Sequence, residues 1–413
     1  MGLPDRDRGA VPGLVDRRAA LATGVAGTGA ALLAVLGDPH PRAFLGVAVL
    51  VAWGIAVATI RPAAPGRLGL VAAAVLVRVP LLLVPAAWSD DVFRYVWEGR
   101  VWLAGENPFA LPPDAPALAP LRDALWERVN HRGVSSIYPP LAQALFVLVS
   151  PFGVLGWKLL SAAADTGTAA LLHRRSPRAG WLWALLPLPA LESAGSGHLE
   201  GIGVLLLVGA LGGRPAWAWA GAMVKLLPGV VLPTLLGRSG RAWGLAALAT
   251  VFAALPILAA GEGAWRGFET YRQTWAFNAS LYAVADLLLP EGAARPLLQL
   301  LGFVVALGAL LRTRDPGRLA LAVTGAFVLL SPTVHPWYVL WPLAAGLWVG
   351  AGAWTVLAVG VPLAYVVLGT YDAATSSWSE PIWPRLVFYP VFYAFLLVGA
   401  ARRALLPGPW PVH

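Results

Sequence analysis

The sequence predicts an all-α, polytopic integral membrane protein, on three observations. Of 413 residues, 58% are hydrophobic and only 12% charged, whereas a soluble chain is about 45–50% apolar and about 25% charged. Mean hydropathy is +0.69. The apolar residues fall in long runs bounded by arginine, and a helix needs roughly 20 such residues to cross a bilayer. The 45 Gly and 36 Pro follow no fixed period and Cys is absent, which excludes a collagen-like chain and a disulfide scaffold. A net charge of +9 invites nucleic-acid binding, but its distribution follows membrane topology instead, so no nucleic-acid partner is expected.

Taken in order, the apolar runs place about twelve spans, at 19–36, 43–60, 68–87, 156–173, 180–194, 201–213, 242–260, 297–312, 319–332, 337–350, 352–370 and 386–403. Several are short, so they must tilt, break or extend into their neighbours. Two further apolar segments read as hairpins or half-helices that enter and leave on one side. One is 139–150, bounded by prolines; the other is 215–236, interrupted by Lys225 and Pro228. Such broken backbone is tolerated only under a cover of protein or a water-filled cavity. The first run follows a charged N-terminus without a convincing cleavage site, and so reads as an uncleaved anchor.

Orientation follows from charge. With both termini cytoplasmic, the inner segments carry about 17 basic residues, among them Arg6, Arg8, Arg17, Arg18, Arg61, Arg174, Arg175, Arg402 and Arg403, against about 4 acidic ones. The outer segments hold about 11 basic and about 16 acidic residues. Excess Lys/Arg on the cytoplasmic side is the topological rule. The whole chain reads as one membrane domain, residues 1–413, with the polar chemistry at the external face of a plasma (inner) membrane. The longest outer segment is the first, at about 88–138. Within it, residues Asp91 to Leu103 alternate apolar and charged positions as a helix lying on the membrane surface would.

Four features carry candidate chemistry, the charges at membrane depth (Arg78, Asp165 and Lys225) counting as one. Ser89-Asp90-Asp91 is either an N-cap with an acid in the first turn or a catalytic carboxylate just outside the membrane. Arg78 and Asp165 fall at membrane depth, as a buried pair or facing a cavity. Lys225, beside a helix break, is either an anion site or a snorkelling lysine. The run from Glu192 to Glu200 encloses a Gly-His core, and Ser331 to Tyr338 sets His335 between prolines. His335 is a donor to an anion or a satisfied turn histidine. Trp88, Trp97, Trp102, Trp126, Trp265, Trp275, Trp337, Trp341, Trp378 and Trp383 map near the external face, as an aromatic belt or a platform for sugar stacking. Asn278-Ala279-Ser280 is formally a glycosylation sequon, a triplet that also arises by chance.

The segment Ser89-Asp90-Asp91-Val92-Phe93-Arg94-Tyr95-Val96-Trp97-Glu98-Gly99-Arg100, followed by Asn107-Pro108-Phe109, resembles the first external loop of bacterial polyprenol-phosphate-mannose-dependent mannosyltransferases of the GT-C class. Tyr138-Pro139-Pro140-Leu141-Ala142-Gln143, Glu192 through Glu200, Val224-Lys225-Leu226-Leu227-Pro228 and His335-Pro336-Trp337-Tyr338 are similar, in the same order. The resemblance implies a GT-C-like fold with external amphipathic helices. It also implies a hexose donor, mannose first, linked through phosphate to a polyprenyl lipid. Inversion at the anomeric carbon would use Asp91 as base, favoured over Asp90 by its position four residues before Tyr95. Lys225 and His335, with Arg78 behind them, would bind the donor phosphate. Glu192, His198, Glu200, Tyr95, Tyr138, Trp337 and Tyr338 would contact sugar or acceptor. At position 200, where this chain has Glu, relatives often carry Asp. The outer segments hold no Asp-x-Asp motif, so no motif supports a divalent metal and no other cofactor is assigned. The expected partners are membrane lipid, the lipid-linked donor and a glycan, lipid or protein acceptor. The same broken helices and intramembrane charges would also suit a transporter or flippase of lipid-linked sugar.

Overall fold

A computed structural model describes residues 17–60, 66–86, 88–265, 267, 269, 276–372 and 377–405. Arg6, Arg8, Arg61, Trp275 and the side chains of Arg402 and Arg403, all used in the topology argument, lie outside what it describes. Among the described residues the chain is helical, with two isolated β-bridges and no strand. In chain order the helices are α1 (Arg17–Leu36), α2 (Ala43–Thr59), α3 (Arg67–Leu82), α4 (Asp91–Leu103), α5 (Pro140–Val149), α6 (Gly153–Arg175), α7 (Pro177–Leu185), α8 (Pro187–Ala190), α9 (Glu200–Leu211) and α10 (Pro215–Val224). They continue with α11 (Leu232–Leu236), α12 (Gly240–Ala260), α13 (Leu281–Leu288), α14 (Ala294–Arg312), α15 (Pro316–Leu330), α16 (Leu340–Val349), α17 (Ala353–Gly360) and α18 (Trp383–Leu405).

Seven helical stretches are long and apolar enough to cross a membrane: Arg17–Leu36, His40–Thr59, Pro140–Arg175, Gly240–Ala260, Ala294–Arg312, Ala353–Thr370 and Trp383–Ala401. The other five expected spans are shorter or broken. The run expected at 180–194 stops at Leu186, whose extended backbone precedes Pro187, because a proline drives the residue before it out of the helical region. It resumes as α8 and a π-helical turn, Leu191–Gly195. The segment expected to turn back at 215–236 does so at Lys225, which is extended. A Cβ on Gly221 of α10 would lie only 2.5 Å from Pro228 on the returning limb.

Tryptophans seat on glycines throughout the core. A Cβ would meet the Trp53 ring from Gly29 at 2.8 Å, Trp88 from Gly46 at 2.7 Å, Trp341 from Gly203 at 2.5 Å and Trp354 from Gly325 at 2.7 Å. Small residues let backbone and ring approach closely where apolar side chains alone give helices little reason to associate in lipid. Trp88, Trp97 and Trp341 are therefore interior residues and not part of an aromatic belt. Trp265, Trp378 and Trp383 do stand exposed. Helices α3, α6, α7 and α9 surround the buried α8 and the π-turn, while α12 buries none of its residues.

Helix α4 begins and ends where the sequence places it, but it does not lie open on a surface. Val92 through Gly99 are all buried, including Arg94 and Glu98. The chain that follows folds over its polar face. Arg94 donates to the carbonyls of His131 (3.1 Å) and Val134 (2.5 Å) and to Glu98 (2.8 Å). Glu98 in turn accepts from Ser136 at 2.7 Å and Gln143 at 2.6 Å. With every charge on that face partnered, burial no longer carries a desolvation penalty for unpaired groups.

Candidate active site

Asp91 opens α4, and Asp90 precedes it as the N-cap position without making a side-chain cap. Both carboxylates are engaged instead by Asn130, whose amide donates to Asp90 Oδ1 at 2.8 Å and to Asp91 Oδ1 at 2.7 Å. Asn130 is held because Arg94 ties down the backbone beside it. The Asp90 side chain still reaches the surface. Even so, partial desolvation and then the Asp91 charge push its carboxyl up to about 6, against pulls from Asn130 and Arg128.

Behind Asp91 lies His198. Its Nδ1 is 3.7 Å from Asp91 Oδ2, and its Nε2 is 3.4 Å from Glu192 Oε2. The loop that carries it depends on glycine. Gly197 has φ +73°, and Val92, Lys158 and Trp157 all stand within 3.3 Å of where a Cβ would sit. The turn is pinned by His198 N–H donating to the Glu192 carbonyl at 2.7 Å, Ser161 Oγ donating to the His198 carbonyl at 2.8 Å and Trp157 Nε1 donating to the Gly197 carbonyl at 2.6 Å. Glu192 Oε1 accepts from the Tyr365 hydroxyl at 2.6 Å. Glu192, His198 and Glu200 are all 0% exposed. All three, expected to contact sugar or acceptor, thus lie beneath the surface, behind Asp91 and Lys225.

Lys225 is brought to Glu200 by the α10 break and makes a very short ion pair with Glu200 Oε1. Its side chain keeps 27% exposure, and the ammonium sits 5.5 Å from the Tyr338 ring centre. Trp337 stacks on His198 (3.9 Å, 23°) and on His335 (4.3 Å, 1°). Among the described residues no ring contact joins the two imidazoles, which puts them on opposite faces of the indole. Stacking on both sides leaves the edge of Trp337, and not a face, uncovered by the two imidazoles. His335 is neutral at physiological pH, because desolvation, then Lys225 and His131, hold it down to about 3. Its ring carries one N–H and no charge.

Three expected site residues are committed elsewhere. Arg78 donates through Nε to Asp165 at 2.6 Å and through NH1 to the Ala184 carbonyl at 2.8 Å; Trp183 and Ser193 complete the shell of Asp165. This is the buried pair raised as the alternative to a cavity-facing arginine. Tyr95 and Tyr138 meet edge to face at 5.2 Å, and both pack on Phe146. They anchor α4 to α5. The sequon asparagine is also interior: Asn278 is 1% exposed and donates to the Val334 carbonyl at 3.0 Å. Phe277 N–H donates to the Pro332 carbonyl at 3.0 Å and its own carbonyl accepts from Val334 N–H at 2.8 Å, a parallel bridge opposite Thr333 that braces the approach to His335.

Asn130, Tyr365 and Lys158 escaped the sequence reading. Lys158 Nζ donates to the carbonyls of Leu81 (2.9 Å), Leu82 (3.2 Å) and Val84 (2.6 Å), so it caps α3 just before the Asp90–Asp91 segment. A lone lysine in an apolar run was the one signal available for it. Asn130 and Tyr365 lie 39 and 173 residues from their carboxylate partners, and no local pattern marks them. Chemically the cluster offers a partly exposed carboxylate, Asp91 at 23%, with a lysine and a neutral histidine close by and buried acids behind. Among the described residues no group of three or more His, Asp or Glu is arranged to hold a metal ion. Comparison with protein-family models, with curated proteins and with solved structures finds no match for this chain.

Proposed function

We propose that the chain is an inverting glycosyltransferase that moves a hexose, mannose first, from a polyprenyl-phosphate donor to an acceptor hydroxyl at the outer face of the plasma membrane. The observation that carries this reading is the convergence of Asp91, Lys225 and His335, from three distant segments, on His198 and Trp337. The ordered motif resemblance supplies the reaction class.

In this mechanism Asp91 takes the proton of the acceptor hydroxyl as general base. The acceptor oxygen forms its bond to the anomeric carbon as the bond from that carbon to the phosphate oxygen breaks on the opposite face. The electron pair leaves with the polyprenyl phosphate. Lys225 and the neutral His335 supply a charge and an N–H where negative charge grows on that phosphate. A glycosidase needs a second carboxyl as acid; a phosphate leaving group does not. Glu200 holds Lys225 in place, and the polyprenyl tail lies against the exposed apolar helices.

The test is transfer from synthetic polyprenyl-phosphate-mannose to octyl mannoside by the purified chain, wild type against Asp91→Asn. Transfer that falls at least about 10²-fold in the variant, the scale of a lost general base, is expected. Equal transfer by both removes Asp91 from the mechanism. Donor binding with no transfer by either favours the flippase reading.

A further inference from the structure

Three buried polar atoms in the line behind Asp91 have no hydrogen-bond partner: Glu192 Oε2, His198 Nε2 and His198 Nδ1. They are consecutive in space. Glu192 Oε2 faces His198 Nε2 at 3.4 Å, and His198 Nδ1 faces Asp91 Oδ2 at 3.7 Å. The imidazole is 0% exposed, so water does not stand in for either neighbour. A neutral imidazole has one N–H and one lone pair, and an ionised carboxylate only accepts. An imidazole between two ionised carboxylates therefore leaves one nitrogen facing an acceptor with nothing to donate.

We infer that Glu192 carries a proton in the working enzyme and that Tyr365, Glu192 and His198 form a one-way chain of donors ending on the Asp91 carboxylate. The Tyr365 hydroxyl donates to Glu192 Oε1, as it does at 2.6 Å. The Glu192 Oε2–H donates to His198 Nε2. That fixes the tautomer with the proton on Nδ1, which donates to Asp91 Oδ2. One added proton gives each facing pair a donor and an acceptor, and the separations of 3.4 and 3.7 Å then close to hydrogen-bond length, about 2.7–3.2 Å. Asn130 holds the other Asp91 oxygen at 2.7 Å, so each lobe of the proposed base then faces a donor.

Glu192 is on this account a positioning residue. It touches no substrate and acts through His198, whose tautomer decides whether Asp91 meets a donor or a lone pair. Other titratable groups face the chain: Lys225 and the neutral His335 face the imidazole, and Glu200 and Asp91 face Glu192. When Glu192 ionises, His198 turns its proton to Nε2, and Asp91 loses its donor. The inference rests on the proposed function for its kinetic consequence, but not for the proton itself.

The experiment has one arm for each. Infrared difference spectra of the purified full chain at neutral pH should show the C=O stretch of a protonated carboxyl. That band should vanish in Glu192→Gln, persist in Glu200→Gln and shift in Tyr365→Phe, which removes only the hydrogen bond to Oε1. In the transfer assay, Glu192→Leu should lower kcat about 10²-fold, as a misplaced catalytic group does. Glu192→Gln should restore most of it, because an amide donates to Nε2 as a protonated carboxyl does, and should erase the alkaline fall in rate. Absence of a band lost in Glu192→Gln overturns the inference, as does equal kinetic loss in the Gln and Leu variants. If the wild type transfers no sugar, the proposed function fails, and the infrared arm still decides whether Glu192 holds the proton.

Discussion

Gly99 is where α4 crosses α5, and replacing it with alanine tests how Asp91, the proposed base, is aimed. A Cβ at this position would fall on the Phe146 carbonyl, 2.6 Å from its carbon and 2.7 Å from Ser150 Cβ. Both obstacles belong to the backbone or sit next to it, so no flexible side chain can swing aside. Restoring ordinary contact requires the two helices to part by roughly 1 Å, and such overpacking costs about 1–3 kcal/mol. The displacement pivots α4, whose first residue is Asp91 and whose interior face carries Tyr95 against Phe146. A shift of about 1 Å at a reacting group costs about 10² in rate. Thermal unfolding of the purified chain should thus show Gly99→Ala less stable than wild type, and transfer should drop more than the fraction unfolded explains. Gly24→Ala is the control of opposite sign. It lies in α1 with nothing within 4 Å of its Cβ, so alanine should stabilise by about 0.5–1 kcal/mol. A Gly99→Ala protein with an unchanged unfolding midpoint would refute the argument that this crossing is closed to a methyl group.

Further outcomes follow from single groups. Asp90 titrates at about 6 in the fold against an ordinary 3.8, so the folded state binds more protons than the unfolded one between those values, and stability falls as pH rises through that window. Asp90→Asn should match wild type below pH of about 4 and unfold at a higher temperature above about 6, which melting across pH 4–8 reads directly. Arg78→Met should destabilise by about 3–5 kcal/mol, because Asp165 is left buried without its cation, and adding Asp165→Leu should recover most of that loss. Denaturant unfolding of both variants measures it, and equal stability of the single and double variants would mean the pair is not coupled.

Much of the fold was legible in the sequence because hydrophobic runs and prolines act locally. The α4 boundaries, the break at Lys225 and the seven long apolar helices all follow from residues within one or two turns. The shorter elements were less legible. The stretch from Ala179 to Val204 is as apolar as a span, yet it is interior, and composition does not separate a helix facing lipid from one facing protein when both surroundings are apolar. The same ambiguity hid the interior tryptophans, since a belt and a core ask for the same side chain.

For the candidate site, the sequence by itself determined which residue types are present and that Asp91, Glu192, His198, Glu200, Lys225 and His335 stand in ordered polar islands within an apolar chain. It determined too that charges such as Arg78 and Asp165 at such depth need partners. Only the tertiary structure decided who the partners are: Arg78 with Asp165, Lys225 with Glu200, Asn130 across both aspartates, and Tyr365 behind Glu192. Those choices join residues up to 173 positions apart. Hydrogen bonds and ion pairs form only within about 3–4 Å, a distance set by how the helices pack and one that no local pattern in the chain encodes.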